Sequence, residues 1–327
     1  MEAIFCSDEN KWDKFIMEND GSFLQSFEWG KFQQKSGINV FRIRVVENNK
    51  TLIQAQLFKE SFYFKNYFYI PYGPVFFSDS NNFQKKLAVD VLLNKIKELA
   101  IKENCIFLRA EPTISLGEIS EYKVNIPIRR IQPQKTLVID LNQSEEDLLK
   151  EFSSTTRHNI GRARKSGVVV KELHEYSNDF YKLLGKTKDR QEFGVYSENH
   201  YKELFEIKGD ALKCKLFLAE YDNKIINATI VLIFNNKAVT LHSGSDYNYR
   251  NVKGTNLLKW EIMSSLKKEG INELDMWGID EKKWPSLTAF KKGFGGTEFE
   301  YPIGTDIIFQ NFWYSLYKIT RAIKRLI

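Results

Sequence analysis

Cysteine is scarce in this sequence. Only three occur in 327 residues, Cys6, Cys105 and Cys214, far apart and in neither CxxC nor CxxxxH spacing. That argues against a disulfide framework and against a zinc site, and it fits a reducing, cytoplasmic compartment. The N-terminal stretch MEAIFCSDENKW has no basic segment followed by an apolar run, and no apolar stretch in the chain is long enough for a membrane span. Neither an export signal nor a transmembrane helix is therefore expected. The chain also lacks GxSxG, HExxH and GxxxxGK[ST], and its four histidines are His158, His174, His200 and His242. Serine-nucleophile, zinc-hydrolase and P-loop mechanisms are disfavoured, and no metal is expected.

What is present is ordinary for a globular protein: 43% hydrophobic and 28% charged residues, with 14% aromatics that favour strand-rich, well-packed layers. The length suggests two domains of about 150 residues each. A formal charge of +6 permits a polyanionic partner, although many soluble proteins are as basic, so the location of the charge carries more weight. Arg157, Arg162, Arg164 and Lys165 crowd one segment, and Lys318, Arg321, Lys324 and Arg325 another.

The order of predicted elements repeats. FRIRVV alternates from Phe41 to Val46, ENNK turns, TLIQAQLF makes a second strand and YFYIPYGPVFF a third, before a helix at about 83–103 and the strand CIFLRAEP. Later come LFLAEY at 216–221, the turn DNK, IINATIVLIF, the turn NNK, AVTLHSGS, a helix over roughly 254–269 and INELDMW. The chain reads as two copies of one strand-rich unit with a crossover helix. The link PIRRIQPQ, bracketed by Pro127 and Pro133, marks the boundary. The expected domains are 1–132 with 306–327, and 133–305. Ser144 is expected to cap a helix beginning EEDLL that Gly167 ends after a basic last turn. A final amphipathic helix at about 307–326 places Phe312, Leu316, Ile319 and Ile323 on one face, expected to fold back on a domain core.

A repeat of this order suggests an α/β (α+β) fold of two tandem GNAT-like acyltransferase domains. The usual acyl-CoA site of that fold is a glycine-rich [RQ]xxGxG/A turn opening the central helix. Here the stretch is Arg250-Asn251-Val252-Lys253-Gly254-Thr255, with Lys253 where the first glycine belongs. Close approach of a pyrophosphate to free backbone N–H groups is compromised there, so the donor is expected not to be acyl-CoA.

Five segments, in order, then resemble the Fem (FemABX) peptidoglycan-bridge aminoacyltransferases. They are Phe23-Leu24-Gln25-Ser26 with Glu28-Trp29-Gly30; Pro71-Tyr72-Gly73-Pro74-Val75; Thr156-Arg157-His158-Asn159-Ile160 with Ala163 to Gly167; Asp189-Arg190-Gln191; and Phe290-Lys291-Lys292-Gly293-Phe294-Gly295-Gly296. The resemblance implies tandem GNAT-like domains whose C-terminal helix returns to the first. It implies a short form, similar to FemX, since Val170 leads through one helix and an RQEFG segment into strand 216–221 without room for a coiled-coil arm. It implies transfer of glycine, alanine or serine from aminoacyl-tRNA to the stem peptide of UDP-MurNAc-pentapeptide or lipid II. No cofactor is needed, because the ester is already activated. A monomer is expected, cytoplasmic, with peripheral membrane contact if the acceptor is lipid-linked.

The resemblance also assigns residues. Lys291 is placed near the aminoacyl ester, where it stabilises charge on the carbonyl oxygen; the plainer reading is a solvated loop lysine. Phe290 lines the channel to the ester or simply packs in the core. Lys31, with Lys35 as an alternative, and Arg190 are similar to the family's diphosphate clamp. Glu111 accepts a proton from the acceptor amine or merely holds it, holding being favoured. His242 stands where a tyrosine is expected, and Tyr196 is similar to another family tyrosine. Arg157, Arg162, Arg164 and Lys165 would meet tRNA phosphates, contacts that position without reading sequence; the bland alternative is a solvated basic face.

Overall fold

The computed structural model describes residues 1–119, 121–191, 194–207 and 209–326, with the backbone alone described at 189–191 and 324–326. The chain divides into two compact units, Met1–Gln134 with Tyr301–Ile327, and Lys135–Glu300.

The first unit begins with β1 (Glu2–Phe5), α1 (Glu9–Glu18), α2 (Phe27–Lys35), β2 (Asn39–Glu47), β3 (Lys50–Phe62), β4 (Lys65–Pro71) and β5 (Val75–Phe76). It continues through α3 (Asn82–Lys102), β6 (Cys105–Glu111) and β7 (Lys123–Asn125). The second unit holds β8 (Lys135–Asp140), α4 (Glu145–Glu151), α5 (Ser154–Lys165), β9 (Val169–Leu173), α6 (Asn178–Gln191), α7 (Glu198–Leu204) and β10 (Leu212–Tyr221). It ends with β11 (Lys224–Phe234), β12 (Lys237–Ser245), α8 (Gly254–Lys268), β13 (Glu273–Gly278), α9 (Pro285–Lys292) and β14 (Thr297–Glu300). The chain then returns to the first unit with β15 (Thr305–Ile308) and α10 (Asn311–Leu326).

The repeat read from element order is present in each unit by itself. An antiparallel hairpin turns on paired Asx residues with positive φ, Asn48 and Asn49 between β2 and β3, Asp222 and Asn223 between β10 and β11. Such residues tolerate the left-handed region that a two-residue hairpin turn demands. A long helix then crosses over to a parallel neighbour, from β4 through α3 to β6 and from β12 through α8 to β13. The sheets run β1-β2-β3-β4-β6-β15-β7, with β5 beside β3, and β14-β8-β13-β12-β11-β10-β9. In the first unit α3 buries Ala88, Leu92, Ile96 and Leu99 against Ile43, Ala55, Phe68 and Leu108. In the second, α8 buries Leu258, Ile262, Met263 and Leu266 with Ile139, Val231 and Leu274. Each such large side chain contributes about 1.5–3 kcal/mol by leaving water.

Four expectations are corrected. The helix expected to run from Ser144 to Gly167 is two: Phe152 is extended and buried, and the Ser153 side chain caps α5 by accepting from Thr156 N at 3.1 Å. Two helices, α6 and α7, lie where one was expected before β10. The final helix starts at Asn311, because Thr305–Ile308 is a strand paired with β6. An ion pair with a residue far away in sequence overrides helical periodicity there. Arg109 donates to both oxygens of Asp306 at 2.7 Å, with the two side chains 3% and 0% exposed, and Tyr314 Oη donates to Asp306 Oδ2 at 2.9 Å. The face of α10 expected to meet a core faces solvent; among its described side chains Tyr314 and Tyr317 are the buried ones.

Candidate functional site

The FLQSFEWG segment builds a scaffold. Gln25 is fully buried; its Nε2 donates to Pro71 O at 2.8 Å, and its Oε1 accepts from Gln56 N at 2.8 Å. Ser26 caps α2 by accepting from Trp29 N. Gly30 lies so close to the Arg42 guanidinium and Gln56 that an added Cβ would come within 2.2 Å of both, and a Cβ on Gly73 would meet Gln25 at 2.6 Å. Two of the five segments therefore interlock, and the residues that lock them carry no reactive group.

Lys31, on α2, is 45% exposed and donates to Glu9 at 2.6 Å and to Glu28 at 3.5 Å. The hydrogen bond that it gives to Glu9 raises its pKa. Those two carboxylates offset its charge towards an anionic ligand. Glu111, at the end of β6, is completely buried. It accepts from Tyr69 Oη at 2.8 Å and from the backbone N–H groups of Ile131 and Gln132 at 2.7 and 2.8 Å. Its oxygens are committed to fixing the 131–132 segment, the bland role of a strand-end carboxylate.

The second unit contains the most unusual electrostatics. Lys291 lies near the end of α9, and its Nζ donates to Gly278 O at 2.7 Å and Trp277 O at 3.1 Å. Those carbonyls are available because β13 bulges against β8 after Asp275, with Trp277 in the left-handed region at φ 64. Two of the three N–H groups of the ammonium are thus used, and one remains among the described residues. Burial pushes the Lys291 amine down to about 8, with Asp275 opposing the shift. Asp275 accepts from Trp277 N at 2.6 Å and from the Thr136 hydroxyl; burial pushes it up to about 6 against those bonds. Beside them Lys259, on α8, is 4% exposed and is pushed down to about 7 by burial and by Lys291. Phe290 is half-buried, edge-on to Phe294 at 5.3 Å between centroids. The FKKGFGG turn is seated by Ser153 N donating to Gly293 O, and a Cβ on Gly293 would meet Thr156 Oγ1 at 2.6 Å.

Lys259 is a residue that sequence reasoning missed. A signal existed, because Leu257-Leu258-Lys259-Trp260 places a lysine inside the most apolar stretch of a crossover helix, where every turn faces protein.

His242 belongs to an aromatic cluster. Tyr201 meets it edge-on at 5.4 Å and Tyr196 at 6.1 Å, and Tyr196 stacks on His200 at 4.1 Å. Burial pushes both imidazoles down to about 4, with His200 further opposing a proton on His242. Both rings are neutral near pH 7, so His242 offers a hydrogen bond and no charge. Arg190 lies outside the residues whose side chains are described.

The basic helix separates into two kinds of residue. Arg157 donates to the carbonyls of Leu149, Lys150 and Phe152, closing the C-terminus of α4 where a cation suits the helix dipole. Arg164 ties α5 to α8 through Glu261 at 2.8 Å. Arg162 and Lys165 have no ion pair among the described residues, and both are exposed. The turn before α8 has Lys253 at φ 63, a conformation that glycine adopts without strain.

The model of the FemAB family matches residues 8–127, 123–224 and 211–322. A similar sequence is the lipid II:glycine glycyltransferase of Staphylococcus aureus (strain MRSA252), 24% identical over 327 residues, covering 93% of this chain and 72% of that protein. Among solved structures, the crystal structure of FemX superposes with a TM-score of 0.79 at 17% identity, covering 97% of this chain and 99% of that one. A tandem GNAT protein from the clavulanic acid biosynthesis pathway gives 0.58 at 11% identity, covering 94% and 98%. The fold is thus that of tandem GNAT-like domains, as the repeated strand–helix order implied.

Proposed function

The chain belongs to the FemAB family, and on that premise we propose that it transfers an amino acid from aminoacyl-tRNA to an amine of a peptidoglycan precursor, either UDP-MurNAc-pentapeptide or lipid II. Its likeness to a lipid II:glycine glycyltransferase supports a bridge-forming reaction of this class. Glycine, alanine and serine are the donor residues considered.

The observation that carries the reading is Lys291, a desolvated ammonium held by two carbonyls with one N–H still to give. In the reaction the acceptor amine attacks the ester carbonyl, a C–N bond forms, the C–O bond to the ribose breaks, and the tRNA hydroxyl leaves with the proton. Negative charge develops on the carbonyl oxygen, and a preorganised N–H donor in a water-poor site stabilises it by about 2–4 kcal/mol. Holding amine and ester together accounts for much of the remaining rate. Phe290, beside Lys291 on α9, borders the ester. His242 and Tyr196 contribute neutral hydrogen-bonding and stacking surface for substrate. Lys31 and Arg190 are the cations assigned to the diphosphate by resemblance, and Glu111 acts by positioning. Arg162 and Lys165 are the tRNA-phosphate contacts favoured by the absence of ion pairs to them among the described residues, ahead of Arg157 and Arg164.

The deciding experiment incubates the protein with a panel of charged tRNAs and either precursor, with acyl-CoA controls, and follows the mass of the stem peptide. A mass increase of one amino acid with a charged tRNA supports the proposal. Acylation from acyl-CoA alone would replace it with an N-acyltransferase reading.

A further inference from the structure

The loop from β13 into α9 ends in an exposed indole. Trp284 is 40% exposed and Leu287, one turn further on, is 38% exposed. Positions 284, 287 and 291, spaced by three and four, share one stripe of α9, and Phe290 lies beside it. The stripe leads from solvent inward. Trp284 and Leu287 are outside, Phe290 is half-buried, and Lys291 turns its amine onto Gly278 O and Trp277 O. From the helical rise, Trp284 stands about 10 Å from Lys291 along the axis.

The loop that presents this ring is pinned. Asp280 N donates to Thr288 Oγ1 at 3.0 Å, Asp280 Oδ1 accepts from Lys282 N and Lys283 N at 2.9 Å, and Trp284 N donates to Asp280 O at 2.8 Å. The Trp284 side chain makes no capping bond to α9, so capping does not account for it. Lys283 holds its ammonium 4.6 Å from the centre of the indole ring. Glu281 is taken up by Lys292 at 2.5 Å, whereas Lys282 and Lys283 have no ion pair among the described residues.

This arrangement matches one end of an aminoacyl-tRNA. The ester sits on the ribose of the terminal nucleotide, so that nucleotide's base is carried one sugar ring from the carbonyl assigned to Lys291, and the phosphates lie on its other side. Proteins hold single-stranded RNA by stacking its bases on aromatic rings and by placing cations along its backbone. An exposed indole a short way from Lys291, with two lysines beside it, meets both needs.

We propose that Trp284, with Lys283 at its ring, is the stacking platform for the terminal base of the donor tRNA and so brings the ester to Lys291. The inference rests on the aminoacyl-tRNA reading and adds recognition of the base to it.

The test is fluorescence anisotropy of a labelled RNA minihelix ending in single-stranded CCA, set against the same RNA with an abasic ribose as its last nucleotide. The full chain is expected to bind the intact RNA about 5- to 150-fold more tightly than the abasic one, the range for one base stacked on one aromatic ring. Trp284→Ala should bind the two alike. Trp284→Phe, which keeps a ring, should retain most of the preference, and this separates stacking from a folding defect. The proposal is overturned if the wild type binds both RNAs equally or binds neither, or if Trp284→Ala keeps the preference. Displacement of the RNA by coenzyme A or by the UDP-linked precursor at equal concentration would give the ring to another nucleotide and overturn it as well. Transfer assays keep the two readings apart. Transfer from charged tRNA that is equally efficient in Trp284→Ala refutes the platform alone, whereas a chain that prefers the intact RNA but transfers nothing refutes the transferase reading and leaves the platform as an RNA site.

Discussion

Replacing Lys291 by methionine removes the ammonium from the second unit while keeping a chain of similar length. Its Nζ makes two hydrogen bonds, to Trp277 O and Gly278 O, and losing them costs about 1–2 kcal/mol of stability because those carbonyls lose their donor. A thioether is cheaper to bury than an ammonium, so the net change in folding is small. The effect on the reaction is larger. Loss of the remaining N–H from the developing oxyanion forfeits about 2–4 kcal/mol, a slowing of roughly 30- to 900-fold. Single-turnover transfer from charged tRNA under saturating precursor measures it without interference from product release. A pH profile adds a second reading of the same group. With its amine at about 8, Lys291 is the charged donor below that pH and loses its proton above it, so the wild-type rate should fall on the alkaline side. Asp275 raises the Lys291 pKa, and Asp275→Asn should therefore move that limb to lower pH. A folded Lys291→Met variant with wild-type single-turnover rates, or an alkaline limb that persists in it, would refute the oxyanion role.

Other outcomes follow from the same geometry. His200 and His242 have folded-state values near 4, below the usual 6.5, so the unfolded chain binds more protons between those limits. Stability should then fall as pH drops from about 6.5 towards 4, by up to roughly 3 kcal/mol for each histidine; chemical denaturation across that range should lose much of its slope in His200→Gln with His242→Gln. Asp306→Asn leaves Arg109 buried without its counter-charge and should cost about 3–5 kcal/mol, while Asp306→Asn with Arg109→Met recovers part of it; melting curves compare the two. Neutralising Arg162 and Lys165 together should make log affinity for tRNA less steep against log salt by about 0.7–0.9 for every phosphate that is no longer neutralised. Arg157→Gln should instead lower the melting temperature, because it uncaps α4; equal salt slopes in wild type and the double variant would remove this helix from the tRNA surface.

The sequence made the architecture legible where local rules and tertiary packing agree. The strands β2, β3, β10 and β11 combine alternating or continuous apolar runs with Asx turns, and α3 and α8 have the length of crossovers, so the repeat is visible in the order of elements alone. It was less legible where one long-range interaction decides. Ile307 and Ile308 were expected to open the final helix, yet Arg109, nearly two hundred residues earlier, pairs with Asp306 and Thr305–Ile308 is a strand beside β6. The same limit reversed α10: the spacing correctly grouped Phe312, Leu316, Ile319 and Ile323, but periodicity reports that a stripe exists and not which way it faces. Two tyrosines between those residues made better core partners because Phe62 and Phe107 were waiting for them.

The candidate site was legible for a different reason. Short segments are recognisable when many of their residues are constrained, and here most constraints are steric. Gln25, Gly30 and Gly73 are fixed by close approach among themselves and to Arg42 and Gln56, and Gly293 by its approach to Thr156. Such residues identify a scaffold without taking part in a reaction. A chemical group can be far less conspicuous, since Lys291 is one lysine in a run of two, and its neighbour Lys292 is tied to Glu281 and Glu298 at the surface. What separates the two is three-dimensional: a bulge in β13 turns two carbonyls towards one amine, and the surrounding core withholds water from it. Lys259 and Asp275 share that enclosure. Neither belongs to a recognised segment, yet each alters the charge that Lys291 can present.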